Sequence, residues 1–93
     1  MRHARVDDLE RLAGLVATLR STAHLTEKRP GVFYWRSKAF LHFHVDADDD
    51  LFADVRTDPG GQFERVRVTT KAEQRRLLAS VHRALSASRD TTP

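Results

Sequence analysis

Residues 38–57 read KAFLHFHVDADDDLFADVRT. Two runs of aromatic, aliphatic and β-branched residues flank the polar pentad Asp46-Ala47-Asp48-Asp49-Asp50, which is the pattern of a β-hairpin. Side chains alternate across a strand, so the register of the hairpin decides which residues share a face. A turn about Asp48 sets Leu41 opposite Val55, Phe43 opposite Ala53 and Val45 opposite Leu51, and every member of that face is apolar. Phe40, His42, His44, Phe52, Asp54 and Arg56 then share the other face, with His42 beside Asp54.

Working outward, Asp58-Pro59-Gly60-Gly61 is a turn signal, and Gln62–Thr69 is the next strand. A turn through Gly60-Gly61 brings Val66 opposite Val55 and Val68 opposite Ala53, which extends the apolar face; it also places Arg67 beside Asp54. On the other side, Val32–Arg36 is a fourth strand. A turn centred on Ser37 sends Phe33 and Trp35 to the core and Tyr34 to the outer face, whereas a two-residue Ser37-Lys38 turn reverses them. The first is preferred, because Ser-Lys is poor at supplying the positive φ of a two-residue hairpin.

Helices bracket the strands. Val6, Leu9, Leu12, Ala13, Val16 and Leu19 form one apolar stripe, and Asp7 with Glu10 makes a capping-box-like start. From Ser21 to Arg29 the periodicity fades, and Pro30-Gly31 stops what remains of the helix. A second helix starts after Thr70, capped by Glu73, and buries Leu77, Leu78, Val81, Ala84 and Leu85. The expectation is one two-layer α+β domain over residues 1–86, in the order helix, four-stranded antiparallel meander, helix, followed by a disordered tail at 87–93.

Ninety-three residues, 40% hydrophobic and 31% charged, suit one small soluble domain with a marginal core. There is no cysteine, so neither a disulfide nor a thiolate-metal site can support it. No apolar run approaches the roughly 20 residues of a membrane helix, and the N-terminus lacks a signal-peptide core, so a cytoplasmic location without membrane contact is expected. Usage rich in arginine, alanine and aspartate points to a GC-rich bacterial genome.

The outer face carries the functional readings. Its aromatic area invites a second copy of the chain, making a homodimer the expected assembly. His42, His44, Asp54, Arg56, Arg67, Tyr34 and Phe40 are the residues expected to bind a small anionic ligand, with the arginines holding a carboxylate or phosphate. No nucleophile motif or Gly-rich phosphate loop accompanies them, so no catalytic residue is assigned and no cofactor follows. His42 and His44, two residues apart on a strand, also put two imidazoles on one side, as metal centres do. Asp54 is the nearest third ligand, and His24 reaches the site only if its linker folds back; the clustered arginines oppose a cation. Nucleic acid is the remaining alternative, with Lys71, Arg75, Arg76 and Arg83 on the second helix, but no ribonucleoprotein signature is present.

Residues 30–56, PGVFYWRSKAFLHFHVDADDDLFADVR, resemble the strand region of small bacterial proteins similar to the MmcQ/YjbR group. That group carries an F-x-V-x-G-K-x-F-like hairpin and a second short strand pair; Phe33 to Phe40 is the counterpart here, with Lys38-Ala39-Phe40 matching K-x-F and Ser37 replacing the usual glycine. The resemblance implies a related hairpin arrangement; the group is often labelled DNA-binding, a label not carried over to this chain.

Overall fold

The chain runs β1 (Arg2–His3), α1 (Val6–Glu10), α2 (Ala13–Arg20), β2 (Leu25–Arg29), β3 (Val32–Trp35), β4 (Lys38–Val45), β5 (Leu51–Val55), β6 (Glu64–Arg67) and α3 (Lys71–Asp90). This is a computed structural model describing residues 1–58 and 60–90, the side chains of 88–90 excepted. The strands form one antiparallel sheet in the order β2-β3-β4-β5-β6, with β1 added beside the end of β4. The architecture is two-layer α+β with flanking helices, as expected, but the sheet has two more strands than the four read from the sequence. The end of α3 lies beyond residue 86, and residues 91–93 of the expected tail lie outside the described residues.

The central hairpin has the expected register: Leu41 pairs with Val55, Phe43 with Ala53 and Val45 with Leu51. Its turn is closed by Asp46, whose Oδ1 accepts the N–H groups of Asp48 at 3.0 Å and Asp50 at 2.9 Å. All six apolar side chains are buried and join Leu12, Leu15, Val16 and Leu19 from the N-terminal helices and Leu77, Val81 and Leu85 from α3 in one core. α3 starts on the expected box: Thr70 N–H donates to Glu73 Oε1 at 2.9 Å, and Glu73 N–H donates to Thr70 Oγ1 at 3.1 Å.

Two registers differ from expectation. On β5–β6, Ala53 pairs with Val66 and Val55 with Glu64, so the connection is centred one residue earlier than Gly60-Gly61. That moves each pairing by two residues, which preserves the faces but replaces Arg67 with Arg65 as the neighbour of Asp54. On β3–β4 the turn has two residues, Arg36 and Ser37, both at positive φ (53° and 67°), and Trp35 pairs with Lys38. Tyr34 pairs with Ala39 but Phe33 with Leu41, which leaves Phe40 as the extra residue of a β-bulge. The bulge restores the facing that a Ser37-centred turn was expected to give: Phe33 is fully buried and Trp35 packs against the core. It also takes Phe40 out of the strict alternation, and Phe40 is 2% exposed, within the core rather than on the outer face.

The N-terminal helix breaks in two at Arg11 and Leu12, and Val6, placed on the apolar stripe by periodicity, is 63% exposed. The cap is made by Asp8 rather than by Asp7 with Glu10: Asp8 Oδ2 accepts the Arg5 N–H at 2.8 Å and an Arg2 guanidinium N–H at 2.7 Å. Pro30-Gly31 stops no helix; it turns the β2–β3 hairpin, with Gly31 at φ 75° and pressed against Leu9.

Glu27 of β2 ties this hairpin to α2. Its carboxylate accepts two bonds from Arg20, at 2.6 and 3.2 Å, and the buried Gly31 N–H at 2.9 Å. The Arg20 fork, reinforced by the Gly31 bond, holds the Glu27 carboxyl below its ordinary range. A group depressed in the folded state contributes stability above its unfolded value, near pH 4.3, and loses it as the pH falls further. Glu27→Ala is expected to lower stability by about 1–3 kcal/mol at neutral pH, because it orphans the Gly31 N–H. In urea melts this difference should shrink on acidification below about pH 4.

Candidate metal centre

Alternation along β4 brings His42 and His44 to the sheet face opposite the core. Across the hairpin, His42 lies opposite Asp54 and His44 opposite Phe52. The third member is His3, which β1 places directly opposite His44. Its position is fixed from both sides: the Ala4 N–H donates to the Phe43 carbonyl at 3.0 Å, and Asp8 holds Arg2 and the Arg5 N–H.

The three imidazoles converge, with ring centroids 4.5 Å apart for His3 and His44, 4.8 Å for His42 and His44, and 5.8 Å for His3 and His42. One ring nitrogen from each lies within 4.8 Å of the other two. The closest pair, His44 Nε2 and His42 Nδ1, is separated by 2.8 Å. A tetrahedral zinc ion with Zn–N near 2.0–2.1 Å needs its nitrogens about 3.3 Å apart, a value between the 2.8 Å of the closest pair and the 4.8 Å limit of the set.

A polar chain runs behind the rings. His44 Nε2 is 3.2 Å from Asp54 Oδ2, and Arg65 forks onto Asp54 with bonds of 2.7 and 2.8 Å. The Arg65 bonds hold the Asp54 carboxyl below its ordinary range, against an opposing effect of burial, so Asp54 is ionised at neutral pH. Burial lowers the pKa of both His42 and His44, outweighing the attraction of Asp54. Both rings are therefore neutral at neutral pH, and neutral imidazole is the form that ligates a metal.

Of the expected ligand-binding residues, His42, His44 and Asp54 come together here and the others do not. Arg67 binds Asp50 at 3.1 Å and Glu73 at 2.8 Å. Tyr34 lies 5.7 Å beneath the Lys28 ammonium. Phe40 is in the core, and Arg56 lies 4.4 Å from the ring centre of Phe63, which in turn sits 5.1 Å from the His42 ring. His24, held as a remote third ligand, is absent from the cluster; His3 takes that place. Sequence reading missed His3 because a two-residue strand has no periodicity to detect. Of the aromatic residues expected on the outer face, Phe40 is buried, whereas Tyr34 and Phe52 are half-buried, as are Trp35 and Phe63.

No helix among the described residues is long and apolar enough to cross a membrane. No family model, curated protein or solved structure matches the chain.

Proposed function

We propose that the protein is a small metal-binding module that holds a divalent transition-metal ion of the zinc class through His3, His42 and His44. The observation that carries this reading is the convergence of three imidazole nitrogens within 4.8 Å, contributed by two strands far apart in sequence. Imidazole suits borderline ions such as Zn²⁺, and three protein ligands leave a coordination position for water or a small ligand. Asp54 supplies a negative charge beside the set, 3.2 Å from His44 Nε2.

Clustered arginines would oppose a cation, but two of the three are paired with carboxylates, Arg56 being the exception. Arg65 is neutralised by its fork with Asp54, and Arg67 by Asp50 and Glu73. The pairing of Arg67 with Asp50 and Glu73 also weakens the reading of this surface as an anion site.

Tag-free protein titrated with Zn²⁺ should take up one ion per chain and gain thermal stability, about 2.7 kcal/mol at a free ion concentration of 100 times the dissociation constant. The double variant His24→Ala/His82→Ala, which removes the histidines outside the cluster, should bind as the wild type does. Failure of the wild type to bind, or loss of binding in that double variant, would sink the proposal.

A further inference from the structure

Beside the β3–β4 turn lies a cavity of about 150 Å³ lined by Trp35, Phe40, Arg36, Lys38 and Arg56. Its aromatic walls meet edge to face, with the Trp35 and Phe40 rings 5.7 Å apart at 75°. Its charge is of one sign. Among the described residues, none of Arg36, Lys38 and Arg56 has a carboxylate within 4.0 Å, although ion pairs hold Arg2, Arg11, Arg20, Arg65 and Arg67.

Arg56 is the most informative of the three cations. Its Nε is enclosed and has no hydrogen-bond partner, and its guanidinium lies 4.4 Å from the centre of the Phe63 ring. Aromatic packing thus fixes the group in place and leaves its Nε–H without an acceptor. A half-buried guanidinium without an acceptor is unfavourable, and its planar fork matches a carboxylate.

We propose that this cavity binds a small aromatic carboxylate, its ring beside Trp35 and its carboxylate held by Arg56 and Lys38. The volume favours one ring: a cavity of about 150 Å³ holds a benzene. Inorganic phosphate would satisfy the charge and leave the apolar walls unused. The site is separate from the three histidines, and the inference is independent of metal binding; Phe63 touches both Arg56 and His42.

Trp35 is the single tryptophan, so its fluorescence reports on this cavity without a label. Titrated at constant ionic strength and excited at the red edge of the indole band, the protein should show a saturable change with benzoate. Benzyl alcohol, which keeps the ring and loses the charge, should bind about tenfold more weakly or worse. Arg56→Gln and Lys38→Gln should each weaken benzoate binding, the former by about tenfold. Lys38 is exposed, so its variant decides the matter if Arg56→Gln unfolds. The proposal is overturned by an absent or unsaturable benzoate response, by benzyl alcohol binding equally well, by tighter binding of phosphate than of benzoate, or by wild-type benzoate affinity in the folded variants.

Discussion

Truncation of Phe40 to alanine should cost about 3–5 kcal/mol, as the loss of a fully buried aromatic does. Strict alternation along β4 would assign this side chain to the outer face beside His42, where truncation would be nearly harmless. The bulge opposite Phe33 and Tyr34 instead leaves Phe40 2% exposed and in contact with the core. A domain of this size is stable by only about 5–14 kcal/mol, so the loss is a large share of the total. At about 4–8 °C per kcal/mol, the melting temperature should fall by roughly 12–40 °C. Phe63→Ala supplies the contrast: Phe63 lies across Arg56 and His42 and is only partly buried, so its removal should cost clearly less. Equal melting temperatures for the two variants would contradict the bulge.

Phe40 also marks the boundary of what the sequence reveals about this fold. Alternation and the Asp46–Asp50 turn were enough to place Leu41, Phe43, Val45, Leu51, Ala53 and Val55 on a common face, because any slip by one residue would expose all of them. A slip by two leaves the faces unchanged, so nothing in the hydrophobic pattern distinguishes Arg65 from Arg67 as the partner of Asp54. The bulge is equally silent, since Phe33 and Trp35 face the core whether the chain uses a wider turn or a tight turn with one extra residue. β2 was missed for a different reason: LTEKR, residues 25–29, is mostly polar, and its place is set by pairing with β3 and by the Glu27–Arg20 fork. In the site, the His42-x-His44 spacing and Asp54 were visible within one hairpin. His3 depends on a contact across some forty residues of chain, which short-range patterns cannot report.

The ranking of variants at the histidine cluster follows from this placement. A four-ligand structural zinc site is worth about 10–16 kcal/mol, or roughly 2.5–4 kcal/mol per ligand, so His44→Ala should lower Zn²⁺ affinity by about two to three powers of ten. Asp54→Asn keeps the three imidazoles and an acceptor for Arg65 while removing a negative charge 3.2 Å from a ligand nitrogen. Its effect should be smaller, about 10–100-fold, the range typical of groups that support metal ligands. Calorimetric titration of both variants, with circular dichroism to verify folding of the metal-free proteins, tests the order. Wild-type affinity in folded His44→Ala would place the ion elsewhere, and wild-type affinity in Asp54→Asn would reduce Asp54 to a structural partner of Arg65.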